Sequence, residues 1–218
     1  GDVLIDAGDF EASERALRQA VHLNAGDHTA QIALGKLYTA WGRHAPAEQA
    51  YRASLAIVPG DPEAEGGLGQ LELLLGRYTP GWDHYEARRR SANAPVRSFP
   101  FLEWAGESLA GRTLLVHAEQ GLGDIILFAS CLPELIATAG HVVIETYPRL
   151  AGLFARSFPA ATVVGRDVSD TSLDWLRPLP PIERHIAFGS LPRLLRRDAG
   201  CFPAHAGYLQ ADPDAVSR

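Results

Sequence analysis

Leu114-Leu115-Val116-His117-Ala118-Glu119-Gln120-Gly121-Leu122-Gly123-Asp124 is an apolar run that ends in a polar corner with two glycines. Thr113 to His117 suits a short buried parallel strand, because parallel strands covered on both faces are apolar throughout rather than alternating. Beyond the corner, Ile125, Phe128, Ala129, Leu132 and Leu135 or Ile136 follow three-and-four spacing, which predicts a helix over 124–138. Pro133 within it predicts a kink or a break. His141–Thr146, with its β-branched Val142-Val143-Ile144, is a second strand. A helix over 148–158, a third strand at 162–164, a loop over 167–181, a fourth strand within 182–188 and a helix over 190–197 with Ser190 as N-cap complete the pattern. Strand alternating with helix implies a parallel α/β sheet.

Ligands of such sheets bind at the carboxyl ends of the strands. His117, Glu119, Gln120, Gly121, Gly123 and Asp124 therefore stand at the expected mouth of a site. The glycines leave the backbone approachable, and a helix start offers unpaired N–H groups with a positive dipole end. No Gly-Lys-Ser/Thr follows, so this is not a P-loop, and Ile126 stands where a dinucleotide fingerprint needs its third glycine. Glu145, at the end of the second strand, has the place of a ribose-binding acid. Each residue also has a plainer reading: Asp124 as the N-cap of its helix, His117 as a structural histidine, Glu119 as a solvated loop charge.

Upstream the chain repeats. Gly8-Asp9-Phe10-Glu11-Ala12 aligns with Gly42-Arg43-His44-Ala45-Pro46 at an offset of 34 residues, Gly26-Asp27 with Gly60-Asp61, and Gly76-Arg77-Tyr78 with Gly42-Arg43-His44. Gly35 and Gly69 recur where paired helices must approach, with Leu34, Tyr38, Leu55, Leu68 and Leu75 between. This resembles the tetratricopeptide repeat family, and residues 28–61 carry its pattern best, through Leu34-Gly35, Tyr38, Gly42, Ala47, Tyr51 and Pro59. The first copy lacks its opening helix, which would precede residue 1 or begin within Asp2–Ala7. In the third copy Glu72 replaces an aromatic, and Gly81 and Arg88 replace alanines. The resemblance implies an α-solenoid whose groove takes protein or peptide partners; a spacer or dimerisation arm is the alternative.

Trp82, Tyr85 and Arg89 are spaced to share one face of the last repeat helix. They read as a cap whose aromatics pack on the following domain, or, through Arg88–Arg90, as an acceptor or phosphate contact. The proline-bearing stretch 91–100 is an extended connection, with Phe101, Leu102 and Trp104 anchoring it to the α/β part. The domains are then 1–92, repeat helices; 93–110, linker; and 111–210, the α/β domain.

Of 218 residues, 46% are hydrophobic and 21% charged, and the net charge of −6 argues against a nucleic-acid surface. No stretch approaches the ~18 apolar residues of a membrane span, and no signal peptide opens the chain, so a cytoplasmic protein is expected. Two cysteines, Cys131 and Cys201, form no metal motif and read as two buried thiols, one disulfide being the alternative. No metal and no tightly bound cofactor is implied, Asp212-Pro213-Asp214 being read as linker. The absence of methionine, position 1 included, suggests a piece of a longer chain.

The segments GRTLLVHAEQGLGD (111–124), HVVIETYPRLAGLF (141–154), GWDHYEARRR (81–90) and GSLPRLL (189–195) resemble bacterial proteins with tetratricopeptide repeats ahead of a heptosyltransferase-like glycosyltransferase domain. The resemblance implies a Rossmann-like half of a GT-B fold on its acceptor side, with Asp124 as general base. Sugar would pass from a nucleotide sugar to a protein or glycan hydroxyl. The nucleotide-sugar site would belong mainly to a second domain for which this chain has no room, so the piece alone is expected to be inactive and to bind the donor weakly. The alternative is a non-catalytic interaction scaffold with a degenerate α/β docking domain.

Overall fold

A computed structural model describes residues 9–92, 97–167, 169–170, 172–204 and 207–216. The chain divides into two compact units, Gly1–Ala94 and Pro95–Arg218.

The first unit is helical: α1 (Phe10–Leu23), α2 (His28–Ala40), α3 (His44–Ile57), α4 (Pro62–Leu74) and α5 (Tyr78–Tyr85), then a 3-10 turn, Glu86–Arg90. Antiparallel neighbours α2/α3 and α4/α5 are the two helix pairs expected from the repeat. The opening helix of the first copy falls outside the described residues. The 34-residue period sets the turns. Asp27 accepts from Thr29 and Ala30 N–H, and Asp61 from Glu63 and Ala64 N–H, each capping the first helix of its pair. Gly42 and Gly76 sit at φ +74° and +73°, so that Arg43 and Arg77 N–H reach back to the Tyr38 and Glu72 carbonyls, both at 2.8 Å. Only glycine adopts that backbone without strain, which is why the helix pairs turn there.

Leu17, Ile32, Leu34, Leu37, Tyr38, Tyr51, Leu68 and Leu71 form the core of this unit. Leu75 remains 36% exposed. A polar cluster recurs with the same period. Glu14 meets Arg18 at 3.0 Å and Arg43 at 3.6 Å; Glu48 meets Arg52 and Arg77, both at 2.9 Å. Tyr38 donates to Glu14 at 2.8 Å. Its counterpart Glu72 is buried and reaches His84 Nδ1 at 2.7 Å and Arg52 at 3.8 Å. The lost aromatic is thus replaced by a carboxylate hydrogen-bonded to His84 with Arg52 nearby, not by solvent. α5 ends at Tyr85, so Arg89 leaves the helical face it was expected to share with Trp82. Within this unit Arg88 and Arg89 pair with Glu86, and Arg90 with the Gly60 carbonyl and Glu65. The three cations expected as a phosphate contact are therefore already engaged by acids and a carbonyl of the repeat unit.

The second unit is a parallel sheet with helices, as expected. Its elements are β1 (Leu102–Glu103), β2 (Thr113–His117), α6 (Leu122–Phe128), α7 (Leu132–Thr138), β3 (His141–Thr146), α8 (Pro148–Ser157), β4 (Thr162–Gly165), β5 (Arg184–Ala187), α9 (Leu191–Leu195) and α10 (Pro213–Val216). Strand order is β1-β5-β2-β3-β4, every pairing parallel. Leu114, Leu115 and Val116 of the central β2 are wholly buried. At about 1.5–3 kcal/mol for each buried aliphatic side chain, β2 is the hydrophobic spine of the unit. Pro133 breaks the predicted helix: α6 passes through a 3-10 turn at 129–131 into α7, with Pro133 in the first turn of α7.

Three expectations are corrected. Residues 102–103, read as part of a linker, form the edge strand β1 on β5; two residues are too few for a period to show. Leu102 is 69% exposed there, while Trp104 is the buried anchor and donates from Nε1 to the Glu107 carbonyl at 2.8 Å. Of the two thiols only Cys131 is buried; Cys201 is exposed. Among the described residues, no helix is long and apolar enough to cross a membrane.

Candidate functional site

In the order β1-β5-β2-β3-β4 the chain runs outward from β2 to β4 and then returns past β2 to β5. The strand order therefore reverses between β2 and β5, the place where open α/β sheets take ligands. The corner Ala118–Asp124 leaves β2 at this point.

Three different segments hold that corner. The Ala118 carbonyl accepts from Arg97 Nη1 at 3.1 Å. Glu119 Oε1 accepts from the Gly189 N–H, just after β5, at 3.2 Å. The Gln120 carbonyl accepts from the Tyr147 hydroxyl, just after β3, at 2.9 Å. Burial, and then the nearby Asp167 charge, push the Tyr147 hydroxyl up from its ordinary value, so it acts as a neutral donor. Glu119 is therefore a bridge across the reversal point rather than a solvated loop charge.

Gly121 is the N-cap of α6 and makes no side-chain cap. Asp124 lies two residues inside the helix, half-buried in its first turn, which corrects the N-cap reading. Its carboxylate still faces the positive end of the helix. A Cβ on Gly121 would touch Asp124 Oδ2 at 3.4 Å, whereas one on Gly123 would meet nothing within 4 Å. The backbone beside Asp124 is thus open to an incoming group.

His117 is not brought to this mouth. It is buried, its Nε2 is 3.3 Å from His185 Nδ1, and the Phe99 ring lies 4.9 Å from both imidazoles. Glu145 is not open to a ribose either. Its carboxylate is wholly buried and takes both Arg97 Nη atoms, at 2.5 and 2.7 Å, and Arg166 Nη1 at 2.7 Å. Arg166 also reaches the Asp170 carboxylate at 3.1 Å, which balances the cluster's charge.

Arg97, Tyr147, Arg166 and Gly189 escape a reading of the sequence alone. One signal for the arginines was present: an acid in a strand as apolar as Val142-Val143-Ile144 must find cations, because a lone buried charge is prohibitive. Among the described residues, no three His, Cys, Asp or Glu side chains gather as a metal site.

Residues 4–71 match the tetratricopeptide repeat family. Protein FlbA of Caulobacter vibrioides is 33% identical over 63% of this chain, and the match spans 25% of FlbA, so the chain covers about a quarter of that relative. In shape the chain is similar to a mutant of the Thermobaculum terrenum O-GlcNAc transferase, at 19% identity and a TM-score of 0.36, over 82% of this chain and 42% of the other. The match falls on the helical unit, which is followed by a parallel α/β unit.

Proposed function

We propose that the α/β unit is the acceptor-side half of a glycosyltransferase of the heptosyltransferase-like, GT-B type. It would act on a nucleotide sugar and a protein or glycan hydroxyl, with the repeats binding the partner that carries the acceptor. One observation carries this reading: Asp124, a half-buried carboxylate beside open backbone, stands where the strand order reverses. Glycosyl transfer needs a base for the acceptor proton as the new bond forms. Asp124 supplies it, with Gln120 and Glu119 shaping the floor and Gly121 and Gly123 leaving room. The donor nucleotide would be held mainly by a second domain, so these residues alone bind nucleotide sugars weakly.

The test is Asp124→Asn in the longer protein that carries this segment. Transfer should fall by about 10²–10⁴, with the melting temperature within about 2 °C of the parent. Retained turnover would remove Asp124 from the chemistry. Micromolar binding of a nucleotide sugar to residues 1–218 alone would overturn the division of the two substrates between domains.

A second reading, a non-catalytic interaction scaffold, is favoured by the Glu119–Gly189 and Tyr147–Gln120 bonds, which engage the Glu119 carboxylate and the Gln120 carbonyl internally. It predicts partner capture by the repeats that is indifferent to Asp124→Asn.

A further inference from the structure

Arg97 is a cation in a position that burial should disfavour. Its side chain is 7% exposed, and the Glu145 carboxylate it grips is wholly buried. Such a pair adds little stability over well-packed apolar side chains, because two charges must first be stripped of water. What it provides is direction. A guanidinium is planar and forked, so a bidentate grip on Glu145 fixes its plane and aims the remaining N–H. Here the direction is the Ala118 carbonyl, the first residue after β2.

The segment bearing Arg97 is itself fixed. Two residues on, Phe99 packs on His117 of β2 and His185 of β5, and its own ring lies 5.1 Å from the Arg97 guanidinium. Trp104 N–H then donates to the His185 carbonyl at 2.8 Å. Arg166 Nη1 donates to the same Glu145 Oε1 that Arg97 Nη2 grips, so a second cation holds the carboxylate in place.

We infer that Arg97 is a positioning residue for the corner, transferring the fixed orientation of Glu145 to Ala118 and through it to the loop that leads into Asp124. For its bearing on turnover, this rests on the reading of the corner as the acceptor site. The plainer view is that Arg97 only neutralises Glu145. The two differ in what a lysine would do. Lysine keeps the charge as a point, but it cannot grip both carboxylate oxygens and a carbonyl at once.

The experiment is amide hydrogen exchange on the 218-residue chain and its Arg97→Lys variant, without ligand. Exchange at 118–123 should rise tenfold or more while β3 and β5 keep their protection. Unchanged exchange at the corner overturns the proposal, and so does a rise of equal size across corner and sheet, which is plain destabilisation. Arg97→Ala with added guanidinium gives a second arm: recovered protection at 118–123 with guanidinium but not with methylammonium supports aimed donation, and equal recovery with both overturns it. Should Arg97→Ala not fold, Arg97→Lys decides. Neither exchange arm reads turnover, so loss of the glycosyl-transfer reading leaves the exchange result standing. In the longer protein, Arg97→Lys should lower kcat with the donor KM unchanged; an intact kcat with a loosened corner would count against the acceptor-site reading alone.

Discussion

A Cβ built on Gly35 would lie 2.6 Å from the Tyr51 ring, and one on Gly67 2.5 Å from the same ring. Tyr51, buried on α3, thus fills a slot that only glycines on α2 and α4 leave open. Gly35→Ala must displace a ring with no free end, so it should cost about 1–3 kcal/mol by overpacking. Gly66, one residue before Gly67 on the same helix, would meet nothing within 4 Å. Gly66→Ala should therefore stabilise by about 0.5–1 kcal/mol through helix propensity alone. Denaturant unfolding of both variants gives the two opposite signs.

The Glu72–His84 hydrogen bond that stands in place of the third copy's aromatic is lopsided. Glu72 has 3% of its side chain exposed and His84 34%. His84→Ala leaves a buried carboxylate with only the Arg52 contact at 3.8 Å and should cost about 2–3 kcal/mol. Glu72→Gln leaves the half-exposed His84 to water and should cost about 1 kcal/mol. Comparing the two midpoints checks the order; the reverse order would mean that Glu72 is already hydrated.

Acid should act on the second unit through Glu107. The Arg184 guanidinium hydrogen-bonded to it holds its carboxyl down at about 2, from an ordinary 4.5. A depressed carboxylate contributes stability above its unfolded value and loses it as pH falls through the folded value. The contribution is therefore whole above pH 4.5 and fades toward pH 2. Glu107→Gln should melt below the parent at pH 7, and the difference should shrink on acidification. A difference constant between pH 7 and pH 3 would rule out this linkage.

The cysteines should separate by reactivity. Burial pushes the Cys131 thiol up to about 11, while Cys201 is exposed. The thiolate is the reacting form, so brief alkylation of the native chain should add one label, at Cys201, and alkylation in denaturant two. Intact mass and peptide mapping read the result directly.

Repeat and sheet were legible in the sequence because both are periodic. The 34-residue offset carried Gly42 onto Gly76 and Asp27 onto Asp61, and each pair does the same work at its turn. The run Leu114–Val116 announced a central parallel strand through its uninterrupted apolarity. β1 was invisible because its two residues pair by backbone alone and leave Leu102 outward. The position of the corner after β2 was legible, but not what holds it. Arg97 lies 21 residues before Ala118 and 48 before Glu145, and no local pattern foretells a contact that sheet order creates. Asp124 was placed correctly in the chain and wrongly as a cap, because Gly121 starts the helix without a side chain to advertise it.

The charge cluster of the repeats has a consequence for how such a stack varies in length. Glu14, Arg18 and Arg43 return 34 residues later as Glu48, Arg52 and Arg77. Each joint between neighbouring units is therefore made by the same acid and bases. A tandem duplicate of residues 28–61 would present to both neighbours the same acid and bases of this cluster. Duplication of that block would keep these charge contacts in a single genetic event, but it would set Ala33 where Tyr51 now meets Gly67, so the new joint needs that one alanine changed to glycine.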